Sequence, residues 1–167
     1  IGARGTVFPR LGALSFWLYL AGGITLYASF LYRPPDAGVN PLPSLSDTVF
    51  SPTAGVDAWI AGVGLAALGF VLFAVNMLAT LHTRRAPGMV WRRLPLFSWS
   101  ATVSGYVLLI AGSVMVGACA MLMIDRQFDG VFFDAGEGGS PILWQHLSWL
   151  FFTGAYRRPR ELNWMVG

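Results

Sequence analysis

Three long apolar runs constrain this chain more than any motif in it. Leu11 to Tyr32 and Ala58 to Leu81 carry no charged side chain, and Leu94 to Ile124 is longer still. Each exceeds the ~20 residues a helix needs to cross ~30 Å of hydrocarbon, whereas a membrane barrel is written in alternating strands of ~10 residues. The expected fold is therefore all-α, a polytopic membrane helix bundle with three clear spans. A fourth apolar stretch, Pro141 to about Tyr156, is shorter and holds Gln145 and His146, so it spans only marginally or as part of a longer helix. Apolar residues make up 55% of the chain and charged residues 11%, which excludes a soluble surface of ordinary polarity.

The arginines orient the spans. There is no lysine, and arginines gather at Arg4 and Arg10, at Arg84, Arg85, Arg92 and Arg93, and at Arg157, Arg158 and Arg160. By the positive-inside tendency the N-terminus, the 84–93 loop and the C-terminal tail share the cytoplasmic or matrix side of a bacterial plasma membrane or an organellar inner membrane. The 33–57 and 125–140 loops then face outward and hold most of the acidic residues. A pI of about 9.5 follows from this topology. Nucleic-acid binding is excluded as a reading, because the arginines border apolar spans and form no separate basic domain. The lipid bilayer is the expected partner, with the abundant Trp, Phe and Tyr read as interfacial anchors.

Small residues mark the expected helix contacts: Gly62, Gly64, Ala66 and Gly69 on the second span, and Gly105, Gly112 and Gly117 on the third. Pro34, Pro35, Pro41, Pro43 and Pro52 make the first outer loop extended, and Gly136, Gly138 and Gly139 do the same for the second. Both are read as connections, with a contact to a partner subunit as the alternative. Asp125, Asp129, Asp134 and Glu137 lack the dense spacing of a cation loop and read as solvated. The lone Cys119, among Ala118, Ala120 and Met121, reads as a small packing residue. The chain begins at Ile1 and ends on Trp164-Met165-Val166-Gly167, which reads as the opening of another apolar segment. The expectation is a portion of a longer chain or an artificial composite.

An ordered set of short matches carries a resemblance. Thr6-Val7-Phe8-Pro9-Arg10-Leu11, leading into Leu14-Ser15-Phe16-Trp17-Leu18, resembles the approach to the third transmembrane helix of haem-copper oxidase subunit I, the catalytic chain of cytochrome c oxidase. Val56-Asp57, Ala74-Val75-Asn76 and Arg85-Ala86-Pro87-Gly88-Met89 resemble the fourth helix and the loop that leaves it. Pro95-Leu96-Phe97-Ser98-Trp99-Ser100 and Ile124-Asp125-Arg126 resemble the two ends of the fifth. Phe132-Phe133-Asp134, Gly138-Gly139-Ser140-Pro141-Ile142-Leu143 and Gln145-His146-Leu147 resemble the start of the sixth. The likeness covers about residues 1–150. It implies a respiratory enzyme that reduces oxygen to water and pumps protons, with two haems and a copper in the parent family.

The chain departs from that pattern where the chemistry lies. The family's haem-ligating histidines fall on helices before and after this region. Its first copper-ligating histidine belongs to a His-Pro-Glu-Val-Tyr motif just after Trp149-Leu150-Phe151, where this chain reads Phe152-Thr153-Gly154-Ala155-Tyr156. The aspartate at the mouth of the family's proton pathway is Gly5 here, its paired asparagines are Gly12 and Ala13, and a fourth-helix histidine falls on Gly64. Glycine neither collects a proton nor orients a water chain.

Residues 151–167 resemble a second family. Phe151-Phe152-Thr153-Gly154-Ala155-Tyr156-Arg157-Arg158-Pro159-Arg160-Glu161-Leu162-Asn163-Trp164 is similar to the cytoplasmic loop of cytochrome b from bc-type complexes, where a further helix begins. The tail arginines then anchor at lipid headgroups, with Glu161 available to pair with one of them. His146 lies at the seam. In the oxidase register it matches a histidine that ligates no metal; in the cytochrome b register it stands ten residues before Tyr156, where that family places a haem ligand. The readings for His146 are thus a candidate haem ligand, a hydrogen-bonded structural histidine, or a proton-transfer group. The one other histidine is His82.

The function expected from the sequence is that of a partial oxidase subunit I-like respiratory membrane protein. No catalytic residue, metal ligand or cofactor of its own is expected, and the chain alone is predicted inactive. The alternative is a cofactor-free membrane bundle, either a structural subunit or a composite of oxidase and cytochrome b segments.

Overall fold

The computed structural model describes residues 1–32, 54–128, 130–133 and 138–156, with 152–156 as backbone only. Among the described residues four α-helices follow in order: α1 Pro9–Tyr32, α2 Ala54–Thr83, α3 Leu96–Phe128 and α4 Pro141–Tyr156, with a 3-10 turn over Trp91–Arg93 between α2 and α3. There is no strand among the described residues. α1, α2 and α3 are long and apolar enough to cross a membrane. α4 has 16 residues, about 24 Å of helix, which falls short of ~30 Å of hydrocarbon. The proline-rich stretch 33–53, Asp129, residues 134–137 and residues 157–167 lie outside the described residues. The readings of Pro34, Pro41, Gly136, Asp134, Glu137, Arg157 and Glu161 therefore lie there too.

The helices overrun the apolar runs that announce them. α2 begins four residues before Ala58 and takes Asp57 into its first turn, and it ends beyond Leu81 with His82 in its last. A carboxylate at a helix start and an imidazole at a helix end both suit the backbone dipole, so the change from apolar to polar side chains does not end the hydrogen-bonded spiral. α3 starts later than Leu94, since Pro95 holds the residue before it in the extended conformation, φ −69° and ψ 137°; the Pro95 carbonyl accepts the amides of Ser98 at 2.9 Å and Trp99 at 3.3 Å. Pro9 and Pro141 open α1 and α4, at the first helical position, where a missing N–H has no consequence.

α2 is the central helix, with α1 on one side and α3 on the other, and α4 packs on α3. The α1–α2 crossing brings backbone against backbone. A Cβ on Gly22 would stand 2.6 Å from the Gly62 carbonyl oxygen and 2.7 Å from Ala66 N, and one on Gly69 would stand 2.9 Å from the Ser15 carbonyl oxygen. On the other side, Gly105 receives Met77 and Leu78, and Gly112 receives Val71. Small residues allow this closeness, and dispersion gains from it where lipid gives helices no hydrophobic reason to associate. Gly117 differs from the expectation: nothing lies within 4 Å of the place its Cβ would take.

The main apolar cluster fills the end where α2 starts and α3 finishes. Val56, Trp59, Ile60, Met115, Cys119 and Leu122 meet Phe133 and Trp144 there, and the last two rings pack edge to face at 5.8 Å. Trp59 and Trp144 are thus core residues rather than interfacial anchors. Cys119 is buried in the same cluster, as its small-residue neighbours suggest. Much of the outward surface is apolar, including Trp17, Ile24 and Tyr27 on α1 and Val103, Val107 and Ile110 on α3, as lipid-facing or partner-facing helices require.

Candidate functional site

The densest polar and aromatic grouping lies where α2 ends and α3 begins. Ala86-Pro87-Gly88-Met89 is a tight turn, closed by the Met89 amide donating to the Ala86 carbonyl at 3.0 Å. Gly88 has φ +83°, the left-handed conformation that a type II turn demands after proline. The turn folds Trp91 back over the end of α2. The Trp91 ring lies edge-on to His82 at 5.0 Å and against Trp99 at 5.5 Å, while the Arg85 guanidinium carbon sits 4.1 Å above the ring centre. His82 Nδ1 is 2.7 Å from the Leu78 carbonyl oxygen and Nε2 is 3.1 Å from the Tyr106 hydroxyl. A carbonyl only accepts, so Nδ1 carries the hydrogen; in the neutral ring Nε2 then accepts from Tyr106. A cavity of about 360 Å³ opens among His82, Thr83, Arg85, Gly88, Met89 and Trp91.

Beside it, two polar side chains of α2 hold the segment that leads into α1. The Val7 amide donates to Thr80 Oγ1 and the Phe8 amide to Asn76 Oδ1, both at 3.1 Å. Thr80 in turn donates to the Asn76 carbonyl at 2.7 Å. The Phe8 bond satisfies one of the amides that a helix start leaves unpaired, and the Val7 bond pins the residue before it. The positions compared with a proton pathway fall around this contact. Gly5 is exposed with open space beside it, and a Cβ on Gly12 would meet Asn76 Nδ2 at 3.0 Å. Gly64, the fourth-helix position, faces Cys119.

At the opposite end of the bundle the charged groups serve structure. Arg126 Nε lies 2.6 Å from Asp57 Oδ1, with the arginine side chain 3% exposed. Asp125 accepts the amides of Phe132 and Phe133, at 3.1 and 2.9 Å, one on each carboxylate oxygen. Asp125 is therefore committed to fixing the turn after α3. The Asp57–Arg126 pairing is the feature the sequence did not disclose, since the two residues stand on different helices far apart in the chain.

His146 is exposed on α4, and its Nδ1 lies 2.9 Å from the Ile142 carbonyl oxygen. That bond puts the hydrogen on Nδ1 and leaves the Nε2 lone pair outward, the tautomer in which histidines bind metals. A cavity of about 440 Å³ runs beside it along Gln145 and Trp149. His82 is not brought to it. Trp144, two residues before His146, packs in the cluster with Ile60, and about 33 Å of helix separates Ile60 from His82. Two-histidine haem ligation within these residues does not fit, and a haem on His146 needs its second ligand from elsewhere. Among the described residues no group of three or more His, Cys, Asp or Glu is placed to hold a metal ion.

A family model described as cytochrome c and quinol oxidase polypeptide I matches residues 1–153. The chain is 41% identical over 153 residues to cytochrome c oxidase subunit 1 of Corynebacterium efficiens, covering 90% of this chain and 26% of that protein. It is 42% identical over 152 residues to cytochrome c oxidase subunit 1 of Bacillus subtilis, covering 90% and 24%. A probable cytochrome c oxidase subunit 1-alpha of Streptomyces coelicolor is 40% identical over 153 residues, covering 90% and 26%. The chain thus spans about a quarter of the length of these relatives.

Proposed function

Since the chain belongs to the cytochrome c and quinol oxidase polypeptide I family, we propose that it is a partial subunit I, the third to sixth helices of a haem-copper oxidase core, and does not reduce oxygen by itself. The family's reaction reduces oxygen to water and pumps protons, with haem and copper as its cofactors. In this reading α1 to α4 supply packing and topology in a respiratory membrane, beside other oxidase subunits. The N-terminus, the 84–93 segment and the C-terminal tail face the cytoplasm or matrix.

One observation carries the reading. The match runs through residue 153, yet the stretch where the family's copper-binding histidine belongs reads Phe152-Thr153-Gly154-Ala155-Tyr156, which offers neither an imidazole nor a carboxylate. The cytochrome b-like wording of 151–167 accounts for the change as a junction between two segments, 1–150 and 151–167. A haem on His146 belongs to this reading only with a ligand from another chain.

The test is a visible spectrum and metal analysis of the purified chain in detergent. A colourless protein without stoichiometric iron or copper is expected; a haem spectrum with both metals overturns the proposal. The second reading, a cofactor-free bundle outside any oxidase, is favoured by the loss of polar side chains at Gly5, Gly12 and Ala13. Migration of the solubilised chain with a haem-containing complex supports the first reading, and migration apart from any haem supports the second.

A further inference from the structure

We propose that the cavity between the end of α2 and the Trp91–Arg93 turn binds the phosphate of an anionic phospholipid headgroup, with Arg85 as its principal ligand. Four arginines, Arg84, Arg85, Arg92 and Arg93, stand within ten residues, and the chain from Thr83 to Pro95 contains no acidic residue. No carboxylate pairs with any of the four among the described residues. Repulsion among these cations is relieved by an anion from outside.

Arg85 is held ready for one. Its guanidinium carbon lies over Trp91, 4.1 Å from the ring centre, and Nη2 stands 3.5 Å from the His82 carbonyl oxygen. A planar group fixed by a ring retains donors in the fork geometry that phosphate oxygens match, with less rotamer freedom left to lose. The Trp91 ring, His82 and the Gly88 turn bound a space of about 360 Å³, room enough for a phosphodiester.

The surroundings favour a lipid over free phosphate. The cavity sits beside the last turn of one membrane-length apolar helix and the first turns of the next, the ends that meet headgroups when such helices span. Tyr106 touches His82, and toward the middle of α3 the exposed apolar side chains of Val107 and Ile110 continue from that of Tyr106. Their spacing of three and four residues keeps them on one face. A headgroup in the cavity therefore has acyl chains with a track beneath it, which inorganic phosphate does not use.

The experiment is native mass spectrometry of the full chain released from nanodiscs of mixed phosphatidylglycerol and phosphatidylcholine. The wild type is expected to keep phosphatidylglycerol in preference to phosphatidylcholine. Arg85→Gln is expected to lower that retention about tenfold, the scale of a charge-assisted contact, and Arg92→Gln, on the exposed turn, to leave most of it. Equal retention by Arg85→Gln and wild type, or an equal loss in Arg92→Gln, overturns the site. Displacement of the lipid by millimolar inorganic phosphate overturns its assignment to a lipid. If Arg85→Gln does not fold, Arg85→Lys decides: it keeps the charge without the fork, reduced retention is expected, and full retention overturns the role of the guanidinium.

Discussion

Arg126 in the last turns of α3 meets Asp57 in the first turn of α2 at 2.6 Å, and the pair closes the end of the bundle above the apolar cluster. The arginine is almost wholly enclosed, whereas the Asp57 side chain is 26% exposed. The charge at risk on breaking the pair is therefore that of Arg126.

Asp57→Ala is expected to destabilise the chain by about 3 kcal/mol, the low end of the range for removing one member of a buried pair, because partial exposure lets water reach the site and Arg126 keeps a further contact. The double replacement Asp57→Leu with Arg126→Met is expected to recover most of that loss, since it removes the buried charge together with the carboxylate. Unfolding in mixed micelles with increasing SDS measures both. A double variant no more stable than Asp57→Ala shows that the pair contributes attraction beyond its own desolvation.

The α1–α2 crossing is expected to reject even one methyl group. On Gly22 it meets the Gly62 carbonyl and Ala66 amide rather than a side chain that can turn away. Gly22→Ala should thus cost about 1–3 kcal/mol by overpacking and lower the thermal midpoint in detergent. Gly117→Ala has open space and an interior helical position, so it should be neutral or stabilising by up to about 1 kcal/mol. The two midpoints moving together would contradict this account.

Asn76 and Thr80 hold the start of α1 by side-chain acceptors for the Val7 and Phe8 amides. Asn76→Leu removes the acceptor and leaves the Phe8 amide unpaired, a loss of about 1–3 kcal/mol if no water replaces it. Hydrogen exchange at Phe8 should accelerate, while exchange in the middle of α2 stays slow. An unchanged Phe8 rate means that the amide has another acceptor in solution.

The parts of the fold written locally were legible in the sequence, and the parts made by pairs of distant residues were not. The spans follow from hydrophobic length, and Gly62, Gly69, Gly105 and Gly112 signal contact because nothing but closeness explains so many small side chains in lipid. Gly22 carries the same information, yet it looks no different from its neighbour Gly23, beside which nothing lies within 4 Å; only the facing helix distinguishes them. Trp59 and Trp144 read as belt residues by composition and are core residues because two helix ends and a loop close over them. His82 stands one residue past the Ala58–Leu81 run. Its cluster with Tyr106, Trp91 and Arg85 depends on how the Pro87-Gly88 turn folds back, which no periodicity reports.

Trp144 presents a last case in which two terms oppose. Its side chain is wholly buried against Phe133, but its Nε1–H has no hydrogen-bond partner among the described residues, and an unmet buried donor costs about 1–3 kcal/mol. Trp144→Phe keeps a ring for the edge-to-face contact with Phe133 and removes the donor, while surrendering part of the packed volume. These changes should nearly cancel, giving a net effect within about 1 kcal/mol. Trp144→Ala removes the ring as well and should cost about 3–5 kcal/mol. The same SDS titration compares them. If Trp144→Phe proves nearly as damaging as Trp144→Ala, the indole N–H is satisfied in the membrane, and a buried water or an acceptor from a neighbouring chain sits beside it.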